Sequence, residues 1–549
     1  MTETLTPWWQ TTRFRLIALV AFLLGLVALQ WSTTGFVVTF FADDWVQYVR
    51  AETGPWLELF NPRAATPIAN KLAVLLGGDP FVAVNLILYA FLSIKAVASS
   101  LSLLVLSRNH TAALMFGALV AVFPADSAVF NKGVLPATLA LAMLCLGCLC
   151  LYAGYVYRKA WLIAPMLVCG LLVAFIYEAL FPAMVFLPLA LILHDRKVTR
   201  RWLVWAGLWI LPLVITLLYT ASLVSANPNA LGYQSALTDV PNSLELLVIY
   251  TLRFFGYLFY KGWFSDLGPS ISEARQIPAI IAGLLMGATT FYLARGTGYR
   301  SHGARFWLVT ALFGFVLMGL GFGPYLFTAL RDTSDRTLYV AMIGASLLTT
   351  AVACFVLFIQ PRLRLLVALL FALLTSVGTL RMIGQQEIYA IDSGDQMRVA
   401  DAVYGVTGMI APGTMLVIID DSSDRRIDPI FVTLSLYAEY VFAFLNHPNP
   451  MRAVLCYPEE LVWGSYGESC RLDTNGVQVD FVANVQSVSA PLSELVIVRY
   501  ADDGRVTLVQ PGELPFAAEG YQPEARIQPG VLPERAQTLF GTAPDQPRN

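Results

Sequence analysis

Charge is the scarcest resource in this chain. Only 13% of its 549 residues are Asp, Glu, Lys or Arg, against about 25% in a soluble globular protein. That scarcity excludes an ordinary soluble fold. Mean hydropathy is +0.64, and the surplus apolar residues fall in runs of about 18 to 25, enough to cross a hydrocarbon layer of about 30 Å. The near-neutral balance, a net charge of −2, gives no ground for expecting nucleic acid as a partner. A cleavable leader is not expected either. Arg13 and Arg15 precede an apolar segment of roughly 17 residues with no small-residue cleavage site after it, so the first span is read as retained. Histidine occurs four times, which leaves little imidazole for acid–base work.

Cysteine is sparse too, and its seven copies divide by environment. Cys145, Cys148, Cys150, Cys169 and Cys354 sit in apolar runs. The spacing Cys145-x-x-Cys148 suits zinc, but no His, Asp or Glu lies nearby in sequence, so these thiols read as packing. Cys456 and Cys470 are the only two in the polar tail. If that tail is extracytoplasmic they should pair, closing a loop of about 15 residues worth roughly 3 kcal/mol.

Candidate spans are 14–32, 81–106, 110–125, 134–154, 160–177, 181–194, 202–222, 277–294, 306–328, 338–359 and 363–380. Basic turns mark one side of the membrane: Arg108; Arg158-Lys159; Arg196-Lys197-Arg200-Arg201; Arg295-Arg300-Arg305; and Arg362-Arg364. The positive-inside rule makes that side cytoplasmic. For the third and fourth clusters to share a side, the chain between them must cross twice, and spans 202–222 and 277–294 already do so. The apolar stretch 244–263, with Arg253 and Lys261, is therefore expected to lie on the outer face as an interfacial or re-entrant helix. About eleven spans result, with the N-terminus inside and the tail outside. His110, His194 and His302 then fall in the cytoplasm and His447 in the tail, so carboxylates must carry any proton transfer at the outer surface.

From Arg381 the composition turns polar, with Pro and Gly. Residues 395–409 predict an amphipathic helix, Met415–Ile419 a buried strand ending at Asp420-Asp421, and about 431–445 a second helix. Leu495–Val498 and Val506–Val509 flank the turn Asp502-Asp503-Gly504 as a hairpin. The expected fold is mainly α, with a transmembrane module over 1–380 and a small extracytoplasmic α/β domain over 381–549. Pro-rich polar sequence beyond about 511 is expected to be loosely ordered.

The candidate chemistry lies on the outer side. Asp43 and Asp44 follow the first span in a long outer loop (33–80), within Phe40-Phe41-Ala42-Asp43-Asp44-Trp45. A carboxylate pair at that depth suits a general base or a divalent cation, magnesium or manganese. It would equally cap a surface helix. Pro67 opens, and Gly77-Gly78 closes, a second amphipathic helix in the same loop. Arg331 and Arg336 flank an outer turn with Asp332 and Asp335 between them, suiting either phosphate oxygens or mutual neutralisation. Tyr177 and Glu178 sit in a tight outer corner where a carboxylate should be paired or line a cavity. Arg253 and Lys261 suit an anionic headgroup or simple anchoring. Lys95, mid-span, and Asp126, Asn131 and Lys132, in another outer corner, read as structural.

In order and sidedness these motifs resemble the GT-C superfamily of polytopic glycosyltransferases. The acidic pair Asp43-Asp44 follows the first span, and Pro62-Arg63 through Leu76 looks like the surface helix leading to the second. Tyr177-Glu178 with Pro182 looks like the aromatic–acidic corner of bacterial members, and Asp335-Arg336-Thr337-Leu338-Tyr339 like the motif opening a late span. The resemblance covers about residues 10–400, but the Trp-Trp-Asp signature of oligosaccharyltransferases and the mannosyltransferase outer-loop domain are missing. It implies inverting transfer of a sugar from a polyprenyl-phosphate donor to a glycan, lipid or protein acceptor, on the outer face of what is expected to be a bacterial plasma membrane. Asp43 or Asp44 would then be the base, directly or through a metal. Arg331 and Arg336 would hold the phosphate, with Arg253 and Lys261 in reserve, and Glu178 would shape the pocket. A glycan polymerase, a flippase-like transporter or a silent assembly scaffold would share the spans and outer arginines, with less need for the acidic pair.

Overall fold

The computed structural model describes residues 12–540 except 42, 125–128, 131, 196, 228–230, 232–237, 242, 265–272, 296–302, 329–336, 421–434, 448–450, 457–460, 464–467 and 482–485. The chain divides into two compact units. One holds residues 1–38, 55–130 and 134–388; the other holds 39–54, 131–133 and 389–549. The acidic segment thus belongs with the C-terminal unit.

The first unit is helical. Its long members are α1 (Thr12–Ala28); then, past α2 (Asp43–Thr53) of the other unit and the short α3 (Ile68–Leu76), α4 (Pro80–Ser107). There follow α5 (His110–Val122), α6 (Leu135–Tyr157), α7 (Ile163–Ile176), α8 (Phe181–Phe186), α9 (Ala190–Asp195) and α10 (Arg200–Ala226). After α11 (Leu244–Gly256) come α12 (Glu273–Leu293), α13 (Ala304–Phe322), α14 (Ala341–Ile359) and α15 (Arg364–Thr407), whose residues from 389 on belong to the other unit. Among the described residues, eight helical segments are long and apolar enough to cross a membrane, and the apolar helices at 110–122, 160–176 and 178–192 are shorter. This is an integral membrane protein. Backbone groups in hydrocarbon must be satisfied within the segment, which is why the apolar runs are helices. Helix α11 is not among the eight.

Local sequence accounts for the ends. Asp79 caps α4, its Oδ1 accepting the amides of Phe81 and Val82 with Pro80 at the first helical position. Gly77 and Gly78 both take positive φ, 66° and 75°, and stop α3. Helices α13 and α14 approach so closely that a Cβ on Gly344 would lie 2.4 Å from the Met318 nitrogen, the small-residue contact by which membrane helices pack.

Two expectations are corrected here. The last span and the amphipathic helix after it are one element, the 44-residue α15: polarity changes at Arg381, but no proline interrupts the hydrogen-bond ladder. Nor is the stretch from 511 to 540 loose; the expectation for 541–549 lies outside the described residues. Tyr521, 2% exposed, accepts the Ile497 amide (3.1 Å) and donates to the Val509 carbonyl (3.1 Å).

The C-terminal unit follows α15 with β1 (Met409–Ile410), β2 (Met415–Asp420), α16 (Ser435–Leu445) and β3 (Arg452–Cys456). Then come β4 (Leu461–Trp463), β5 (Glu468–Asp473), β6 (Gly476–Phe481), β7 (Gln486–Ala490), β8 (Leu495–Tyr500), β9 (Val506–Leu508), β10 (Ile527–Gln528) and α17 (Glu534–Phe540). One sheet has the order β3-β2-β8-β9, with β2 parallel to both neighbours and β9 antiparallel at the edge; β4 to β7 form an antiparallel meander, and β10 pairs with β1. Strand β2 is buried at every position, as a central parallel strand should be. Its Met415, Val417 and Ile419 share one core with Cys470, Leu472, Val477 and Val479 of the meander.

Cys456 and Cys470 form a disulfide, with Cα atoms 5.2 Å apart, joining β3 to β5 across that core. Replacing both with serine is expected to cost the unit about 3 kcal/mol, read as a shift in its denaturation midpoint, and more if the buried hydroxyls find no partners.

Candidate functional site

The acidic pair opens α2, and helical periodicity decides which way each carboxylate turns. Asp44, Tyr48 and Ala51 stand at i, i+4 and i+7, beside Trp45, and all four are buried. Asp43, Gln47 and Arg50 lie about 100° away; the first two are half-buried and Arg50 is exposed. The inward face docks on an aromatic nest. Phe40 and Trp45, both 0% exposed, pack with Tyr48 around Phe444 of α16, with centroids 4.9–6.1 Å apart. The Trp45 indole donates to Gln396 Oε1 at 2.8 Å.

Asp44 is a buried carboxylate with buried partners. Its Oδ2 accepts the Phe41 amide at 2.9 Å, while Oδ1 makes no hydrogen bond. The Lys132 ammonium lies beside it, donating to the Thr39 carbonyl at 2.8 Å and sitting 5.8 Å from the Phe40 ring centre. Burial pushes the Asp44 carboxyl up to about 7, while Lys132 and the amides of Phe41 and Gly133 pull it back. Asp44 therefore fastens residues 39–44 into the fold, and Asp43 is the member that reaches toward solvent.

A second fastening holds the far end of α2. Arg535 of α17 grips Glu52 through two hydrogen bonds (2.6 and 3.0 Å) and lies 4.6 Å from the Phe444 ring centre. Both side chains are at least three-quarters covered. Arg535→Ala is expected to lower the unit's stability by about 2 kcal/mol, the usual value of charge-assisted hydrogen bonds. Arg505→Ala, which removes an exposed pair with Asp503, should leave the melting transition unmoved.

The remaining expected residues lie in the helical unit or outside the described residues. Glu178 is paired: its carboxylate takes Nε of Arg63 at 2.8 Å and Nη2 as well. Arg63 also faces the Tyr177 ring at 5.7 Å, and the Tyr177 hydroxyl bonds that of Tyr325. Helix α11 packs Phe254 on Phe322 at 3.9 Å, three residues before Tyr325. Its Arg253 is exposed over Tyr250, and Lys261 is exposed over Tyr257. Arg331 and Arg336 lie outside the described residues.

Among the described residues no three His, Cys, Asp or Glu side chains gather as metal ligands. Asp43 and Asp44 offer two carboxylates, and the ammonium of Lys132 already faces Asp44. A divalent cation would rest on Asp43 and on oxygens of its substrate.

Sequence reasoning reads Lys132 as structural and Arg63 only as part of a surface segment, without the partner of either, and passes over Arg535. Lys132 had a usable signal, a lone cation at the outer end of an apolar span, against the positive-inside bias. Arg535 had none.

Fold and site together define a polytopic, largely helical integral membrane protein with a C-terminal β-containing unit that also holds an acidic helix start. The chain matches no model of a known protein family and no curated protein sequence.

Proposed function

We propose that this protein is an inverting glycosyltransferase that moves a sugar from a polyprenyl phosphate to an acceptor hydroxyl at the extracytoplasmic face. The observation that supports this most is the division of labour at the start of α2, where a buried Asp44 fixes the turn and a half-buried Asp43 is presented beside it. In this reading the acceptor oxygen attacks the anomeric carbon and gives its proton to Asp43, while the bond to the phosphate breaks and polyprenyl phosphate departs with the electron pair. One displacement inverts the anomeric centre. Arg331 and Arg336 hold the donor phosphate, and Glu178 acts through Arg63, whose guanidinium it fixes. Arg253 and Lys261 attract the lipid headgroup. The acceptor is a glycan, lipid or protein.

The same reading counts the three shorter apolar helices with the eight long ones as about eleven crossings. It puts the N-terminus in the cytoplasm and the disulfide-bearing unit outside. Asp43 would hold a magnesium or manganese ion where one is used, and the ion would supply positive charge for the leaving phosphate; chelation by EDTA would then stop transfer, and added metal would restore it. The test of the reading itself is competition: free polyprenyl phosphate should inhibit transfer from a lipid-linked sugar. Transfer indifferent to it would remove the assigned donor.

A further inference from the structure

The first outer loop of the helical unit is built inside out for a loop in water. Between α2 and α3 its apolar side chains face outward: Trp56 is 44% exposed, Leu57 45%, Leu59 61% and Phe60 92%. Its polar side chains turn inward and close the loop on itself. Asn61 Nδ2 donates to Glu58 Oε2 and the Arg63 amide to Asn61 Oδ1, both at 2.9 Å, while the Glu58 amide reaches the Ala64 carbonyl at 2.9 Å. A solvated loop would show the opposite arrangement.

The height of this loop is fixed by contacts within the same unit. The Tyr219 hydroxyl of α10 donates to the Leu59 carbonyl. Tyr219 packs on Phe175 at 5.3 Å, and the Phe175 carbonyl accepts the Ala65 amide at 3.2 Å. Tyr219 stands 19 residues beyond Arg200, in the basic cluster that marks one membrane boundary. At about 1.5 Å per residue it lies about 28 Å from that boundary, and the hydrocarbon is about 30 Å thick. The turn of α10 just below it is exposed and apolar, with Leu217 at 52% and Leu218 at 68%. The loop's apolar rim therefore continues the lipid-facing band of α10 instead of rising clear of it. The depth of the loop is the same whichever side is cytoplasmic, and it is independent of the sugar-transfer reading.

We infer that residues 56–60 form a membrane-dipping loop whose Leu57, Leu59 and Phe60 side chains enter the lipid of the leaflet at the end of α10 away from Arg200. The loop then holds the Arg63–Glu178 pair, three residues on, at the level of lipid headgroups.

The test is depth measurement by spin label in proteoliposomes. A nitroxide is attached at Phe60→Cys and, separately, at Leu59→Cys, with exposed Glu519→Cys of the C-terminal unit as reference. The five free native cysteines are buried and do not compete for label. The expected result is a strong response to oxygen at 60 and 59, with loss of access to a water-soluble nickel chelate relative to 519. Nickel access at 60 and 59 equal to that at 519 would place the loop in water. Loss of access to both oxygen and nickel would place it under a protein partner. Either outcome overturns the inference.

Discussion

On the proposed function, Asp43→Asn is expected to lower sugar transfer by about 10²- to 10⁴-fold, the usual loss of a positioned general base, with the protein still folded. Its side chain is half-buried at the mouth of α2, and the isosteric amide keeps its shape while removing its charge and its basicity. Asp44→Asn gives the converse result: a loss of stability, with the chemical step in the remaining folded protein slowed far less. The sign of its pH dependence follows from burial. Burial pushes the Asp44 carboxyl up from its ordinary 3.8 to about 7. The folded state therefore binds the proton more tightly than the unfolded chain does. Stability from this group is complete below the ordinary value, falls as pH rises toward 7, and is constant above that. The asparagine variant should lose this slope, which a series of melting curves across that range would read directly. A larger fall in turnover for Asp44→Asn than for Asp43→Asn would exchange the two roles.

Lys132→Met has the largest expected effect on stability, about 3–5 kcal/mol above neutral pH, because it leaves the Asp44 carboxylate buried without its cation. Below about pH 5 the carboxyl is protonated and the cost should be much smaller. The double variant Asp44→Asn with Lys132→Met should recover much of the loss, since the two changes remove both charges from one pocket. If the double variant is as unstable as the sum of the single ones, Lys132 is held by Thr39 and Phe40 alone, and the pairing with Asp44 carries no energy.

Much of this was legible before any coordinates, and what was not has a common cause. The acidic pair stood out because carboxylates are costly next to a membrane, and the helical period alone sets Asp44 with Tyr48 and Ala51 on one face. The β2, β8 and β9 strands and the Cys456–Cys470 pair follow from local pattern. Lys132, by contrast, meets the 39–44 turn across 93 residues of sequence to Thr39, and Arg535 meets Glu52 across 483. No local pattern encodes such partners. The same blindness made the stretch past residue 511 look loose: its hold on the fold is a few long-range contacts, Tyr521 to β8 and Arg535 to α2, in an otherwise polar sequence. The composition change at Arg381 misled for a different reason, since a helix tolerates a switch from lipid to water provided no residue breaks its backbone ladder. In sequence Arg63 is only part of a surface segment, and the fold alone reveals that Glu178 takes one edge of its guanidinium, Nε and Nη2 together.

The central claim is best tested by supplying purified protein, in lipid nanodiscs, with a panel of labelled polyprenyl-phosphate sugars and acceptor glycans, lipids and peptides. The account predicts that one donor passes its label to an acceptor with inversion at the anomeric carbon, and that Asp43→Asn slows this by at least about 10²-fold. Transfer undiminished in Asp43→Asn, or a panel in which no lipid-linked sugar is consumed, would contradict it.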